Sequence, residues 1–96
     1  MRYFLELAYD GGPFHGWQSQ PNAVSVQATI ENALSTYFQS EIKIVGAGRT
    51  DTGVHARQMF AHFDVSGIIA YYKSFLTAIN SLVGKSVVIN NIREVK

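Results

Sequence analysis

Along this chain the hydrophobic period switches between two residues and about 3.6 and back again, and that succession constrains the fold more than any single residue. Arg2–Tyr9, RYFLELAY, puts Tyr3, Leu5, Leu7 and Tyr9 on one side of an extended chain. Alternation in an aromatic-rich run marks a strand with one buried face. Asp10-Gly11-Gly12-Pro13 ends it, since Gly and Pro interrupt regular structure. From Ser25 the period lengthens: Val26, Ile30, Ala33, Leu34, Tyr37 and Phe38 form the apolar stripe of an amphipathic helix ending near Gln39 and Ser40. Ser25 suits the N-cap, while Ala28 leaves the capping box incomplete. Ile42–Ala47 and Gln58–Val65 read as further strands, and Ser66-Gly67 breaks the chain again. Within Ile68–Val83 a second helical stripe of Tyr72, Phe75, Leu76, Ile79 and Leu82 precedes a stop at Gly84 and a last strand, Ser86–Val95.

The order β-α-β-β-α-β predicts an α+β, ferredoxin-like fold: a four-stranded antiparallel sheet with two helices on one face. A chain of 96 residues makes one domain, and 47% apolar with 16% charged residues are globular proportions. Because successive elements run up and down, the connections 10–24, 46–56 and 83–85 are expected at one end of the sheet.

Several function classes drop out on composition. Without cysteine there is no disulfide framework and no thiolate ligand or nucleophile. His15, His55 and His62 lack the close spacings of a metal site, so no metal is expected. No apolar run approaches the roughly 20 residues that span a bilayer. The opening MRYFLELAYDGG carries Glu6 and Asp10 and does not read as a signal peptide, so a soluble protein of the cytoplasm is expected. A net charge of +1 is not the basic excess of a dedicated nucleic-acid binder, so any RNA contact must come from local clustering or from chain outside these residues.

The chemistry concentrates in Gly48–Ala56, GRTDTGVHA, which brings Arg49, Thr50, Asp51 and His55 into one glycine-punctuated stretch between two strands. A lone carboxylate near a guanidinium stays ionised, which suits a nucleophile or general base. The alternative is an aspartate that caps its own turn through an Asx bond, with Arg49 as a surface ion-pair partner. In the preceding loop, Phe14 and Trp17 can stack on a base or fold onto the core, and Gln18 and Gln20 can read base edges or be solvated. Arg57, with Arg49, His55 and Lys85, gives a small basic cluster suited to phosphate.

Gly48–Ala56 resembles the GRTDAGVHA motif of the tRNA pseudouridine synthase A family. Tyr9-Asp10-Gly11, His15-Gly16-Trp17-Gln18 and Gln20-Pro21 are similar to the family's loop after the first strand. Val24-Ser25-Val26-Gln27 resembles the start of its first helix, and Val45-Gly46-Ala47 its approach to the motif. The similarity is dense from about Tyr3 to Asp64. It implies that Asp51 is a catalytic aspartate that attacks sugar or base while uracil is detached, rotated and rejoined to ribose through carbon. The implied substrate is tRNA, at uridines of the anticodon stem-loop near roughly positions 38 to 40, each of which must be extruded from the stack. Arg49 matches the residue that holds the flipped nucleotide and orients the aspartate. With Thr50, His55, Arg57, Trp17 and Gln18 it makes the candidate RNA-binding set. Members are considerably longer, work as homodimers and carry a base-packing tyrosine in their second half. Residues 1–96 are therefore expected to be the N-terminal, motif-bearing domain of a two-domain synthase, with little activity alone. Thr52 replaces the usual Ala, Pro13 and Phe14 differ from the usual residues, and Asn80–Val88 lacks the family's pattern after the second helix, which leaves Lys85 without an assigned role.

Two other readings share the element order. A non-catalytic RNA-binding module of the RRM type would need the glycine-containing RNP1 pattern on strand three, where this chain reads RQMFAHF. A small-molecule regulatory domain would leave the Arg/Asp stretch unexplained.

Overall fold

The computed structural model describes the backbone of residues 1–10, 25–46 and 56–95, with the side chains of all of these except Ala56 and Arg57. Six elements follow in the expected order: β1 (Arg2–Tyr9), α1 (Val26–Phe38), β2 (Ile44–Gly46), β3 (Ala56–Asp64), α2 (Tyr72–Val83) and β4 (Val87–Val95). The strands form one antiparallel sheet in the order β2-β3-β1-β4. This is the α+β, ferredoxin-like arrangement that the periodicity predicts.

The core lies between the sheet and the helices. Tyr3, Leu5, Leu7 and Tyr9 of β1 and Met59, Ala61 and Phe63 of β3 are all buried, as alternation requires. Val26, Ile30, Ala33 and Leu34 of α1 and Phe75, Ile79 and Val83 of α2 cover them. Each of the larger aliphatic or phenylalanine side chains removed from water contributes about 1.5–3 kcal/mol before the entropy cost is counted. Phe63 stacks between Tyr3 and Phe75, with ring centroids 5.9 and 6.4 Å away. The one polar group carried into this cluster by Tyr3 is satisfied: its hydroxyl accepts from the Ile69 N–H at 2.8 Å.

The helix ends obey local chemistry. Ser25 has extended backbone and its Oγ accepts from the Ala28 N–H at 3.1 Å, the expected N-cap bond. Gln39 closes α1 in the left-handed conformation (φ 55°), where the expectation put the stop.

Four boundaries or faces differ from the sequence expectation. β2 begins at Ile44 and not Ile42, because the Ile42 N–H is held by Ser35 Oγ of α1 at 3.0 Å; Ala47 lies outside the described residues. β3 begins two residues earlier than expected, at Ala56. On α2 the buried row is Phe75, Ile79 and Val83, a strict four-residue spacing that leaves Leu82 46% exposed. In β4, Glu6 stands opposite Asn91 but Leu7 opposite Ile89, so an extra residue bulges and the buried set runs Val87, Ile89, Ile92. Among the described residues no helix is long and apolar enough to cross a membrane.

Candidate functional site

Tyr9 marks the end of the sheet that matters here. It stands opposite Ala56 on one side and Val87 on the other, and the Asp10 N–H donates to the Ser86 carbonyl at 2.9 Å. The point where the chain leaves β1 for the Trp17 stretch therefore lies beside the point where it re-enters β3 from the Asp51 stretch. Two strand spacings, about 10 Å, cover Ala56 to Val87. Exposed Lys85 belongs to the same end, next to Ser86. The convergence expected from topology is thus visible in the described residues that flank the two stretches.

The strand leading to the Asp51 stretch is held by α1. The Ile44 N–H donates to Glu31 Oε2 at 2.9 Å, and the Gln27 amide donates to the Ile44 carbonyl and to the same Glu31 oxygen, each at 3.3 Å. A three-residue edge strand has few ladder bonds of its own, so these side chains fix where the chain stands as it reaches Gly46. The apolar stripe of α1 gives no hint of this role, because Gln27 and Glu31 read as ordinary solvated helix positions.

Asp51, Arg49, Thr50, His55, Trp17 and Gln18 lie outside the described residues. Arg57 is the second residue of β3, beside the return from the stretch. His62 is half-buried on the sheet face away from the helices, its ring centroid 5.7 Å from that of Phe4. Phe4 in turn carries the Arg93 guanidinium 5.4 Å above its ring. Reading from sequence missed this row, because the bulge in β4 hides which residue faces Phe4. The far end of the sheet carries an ion pair. There Arg2 grips Asp64 through Nε and a terminal nitrogen at 2.9 and 3.1 Å. That hydrogen bond is the main reason the Asp64 carboxyl is held below its ordinary pKa and the Arg2 guanidinium raised above its own.

The RRM-type alternative loses an anchor here. Phe63 is sealed in the core, so of the two strand-three phenylalanines only Phe60, 40% exposed, faces outward.

No family model matches the chain. Curated proteins do. The tRNA pseudouridine synthase A of Bacteroides thetaiotaomicron is 44% identical over 95 residues, covering 99% of this chain and 35% of that protein. That of Porphyromonas gingivalis is 46% identical over 96 residues, covering 99% and 38%. That of Bacteroides fragilis is 54% identical over 66 residues, covering 69% and 26%. The chain spans between about a quarter and two fifths of the length of these relatives. By that similarity along its whole length, the chain belongs to the tRNA pseudouridine synthase A family, of whose sequence it represents a part.

Proposed function

We propose that the protein to which this chain belongs isomerises uridine to pseudouridine in the anticodon stem-loop of tRNA, with Asp51 as its nucleophile. The bond from ribose C1′ to uracil N1 breaks, the ring turns, and a bond from C1′ to C5 forms, with the C5 proton lost and N1 protonated. Asp51 attacks sugar or base while ionised, and the bond it forms breaks again before the product leaves, so that the carboxylate is regenerated. Arg49 keeps it ionised by its positive charge and helps hold the extruded nucleotide. Thr50, His55, Arg57, Trp17 and Gln18 complete the RNA contact around it. Residues 1–96 form the N-terminal, motif-bearing domain, and the other wall of the cleft comes from further chain in a cytoplasmic homodimer. The reaction uses no cofactor.

The observation that carries this reading is the 43–54% identity to proteins named tRNA pseudouridine synthase A, in a chain that contains GRTDTGVHA between β2 and β3. The test is conversion of a tRNA transcript by the full-length protein and its Asp51→Asn variant. Loss of the nucleophile is expected to lower turnover by at least about a thousandfold. Near-normal turnover by Asp51→Asn would remove Asp51 from the chemistry. The 96-residue chain alone is expected to show negligible conversion, and robust turnover by it would refute the division of the cleft.

A further inference from the structure

On the sheet face away from the helices, cross-strand neighbours line up through all four strands: Val45 opposite His62, His62 opposite Phe4, Phe4 opposite Arg93. The His62 and Phe4 rings lie at 32° to each other, and the Arg93 guanidinium caps the Phe4 ring. In the neighbouring row Phe60 stands opposite Glu6, and Glu6 opposite Asn91. Between the two rows is a depression of about 130 Å³ lined by Phe4, Glu6, Phe60, Asn91, Ile92 and Arg93. Two of its side chains are open to a ligand. Phe60 is 40% exposed in mid-strand, although alternate residues of the same strand are sealed in the core. Arg93 makes no ion pair among the described residues, whereas Arg2 on the same face is fully engaged by Asp64.

The chemistry of the depression selects its occupant. An exposed phenylalanine on a flat sheet surface offers a face to a planar ring. A guanidinium already stacked on an aromatic keeps its N–H edge free for an anion, and matches phosphate geometry. One Glu6 oxygen accepts from the Gln58 amide at 3.2 Å and Asn91 Oδ1 accepts from the Ile92 N–H at 2.9 Å. That leaves the second Glu6 oxygen as an acceptor and the Asn91 NH2 as a donor for the edge of a base. Among polymers, a single-stranded nucleic acid uses base face, base edge and phosphate together, and a peptide segment uses only part of that set. Aromatic side chains on the two central strands of a four-stranded sheet are a known way of stacking unpaired RNA bases.

We infer that this face is a second RNA contact, in which an unpaired base stacks on Phe60 and its phosphate meets Arg93, in addition to the contact proposed for the Asp51 stretch. The inference rests on the proposed tRNA substrate. Phe60 is four residues along β3 from Ala56, about 13 Å, a distance that a few nucleotides flanking the target uridine span.

The experiment measures binding of a tRNA transcript to the full-length protein over a range of salt, together with the melting temperature. Phe60→Leu, which keeps the apolar bulk and removes the ring, is expected to weaken binding roughly fivefold or more. Arg93→Gln is expected to weaken binding and to lower the slope of log K against log salt by about one, which a merely structural role would not do. Wild-type affinity and slope in both variants would overturn the second contact. So would a lowered melting temperature with affinity and slope unmoved, the signature of a face covered by the protein's own remaining chain. The two levels fail separately. If wild-type protein neither binds tRNA nor converts uridine in it, the proposed function falls and this inference with it. If conversion is intact and Asp51-dependent while both variants bind normally, only the second contact falls.

Discussion

Asn80→Ala tests how α2 closes the outer edge of the sheet. Asn80 Oδ1 accepts from the Ile89 N–H at 2.8 Å, and its Nδ2 donates to the Ile89 carbonyl at 3.0 Å and to the Leu76 carbonyl at 2.9 Å. Ile89 is 2% exposed, so water replaces these partners poorly once the side chain is gone. Each hydrogen bond contributes about 0.5–1.5 kcal/mol net, and a buried group left unpaired costs about 1–3 kcal/mol. The Leu76 carbonyl, inside a helix, keeps its backbone partner, so its term is small. Ala is a better helix former than Asn by roughly 0.6 kcal/mol, which offsets part of the loss. The net expectation is a destabilisation of about 2 kcal/mol, equivalent to a fall in melting temperature of about 10 °C for a domain of this size. Thermal unfolding followed by circular dichroism reads it directly. Thr77→Ala is the control: it removes an exposed side-chain bond to the Lys73 carbonyl on the same helix and should change stability by less than about 0.5 kcal/mol. If Asn80→Ala melts within about 2 °C of the parent, or no lower than Thr77→Ala, the Asn80 bridge does not hold β4.

Two further perturbations follow from local geometry and charge. Gly84 has φ 87° and ψ −165°, a region essentially reserved for glycine, and nothing lies within 4 Å of where a Cβ would stand. Gly84→Ala should therefore cost about 1–3 kcal/mol through the backbone alone, and an unchanged denaturation midpoint would refute that. The Arg2 hydrogen bond and charge lower the Asp64 pKa, so the stability the pair contributes is complete above the ordinary carboxylate pKa and is lost as pH falls through the lowered one. The stability difference between parent and Asp64→Asn should shrink on acidification below about pH 4, and also in high salt because the pair is exposed. A difference that persists undiminished in strong acid would contradict the assignment.

What could be read from the sequence was whatever depends on residues close together along it. The alternation in RYFLELAY specifies the buried face of β1 because period two leaves no other choice, and Ser25 specifies the start of α1 because its oxygen reaches only the first-turn amides. The Asp51 stretch was conspicuous for the same reason, being contiguous. Features that depend on register were not legible. One bulged residue in β4 moves Arg93 onto the Phe4 ring, and no local signal in VVINNIREV says where the extra residue falls. The choice of Val83 over Leu82 for the buried row depends on how α2 is rotated over β4, which tertiary packing decides. Asn80 is the clearest omission: mid-helix asparagine reads as a mild defect until its partner nine residues away comes within 3 Å.

The two halves of the chain solve the edge problem in the same way. Unpaired strand edges invite further strands, and each outer strand here spends one inward-turned helical side-chain set on preventing that. Gln27 and Glu31 of α1 take the outward N–H and C=O of Ile44, and Asn80 of α2 takes those of Ile89. At both positions the backbone groups that would recruit another strand are already bonded within the domain. A further strand is thereby kept from pairing at these two edge positions. The α1 clamp has a second consequence, since Ile44 precedes Gly46 by only two residues. The side chains that blunt the edge also hold β2 two residues before Gly46, so edge protection and the position of the strand that precedes Gly48–Ala56 in sequence depend on the same pair of residues.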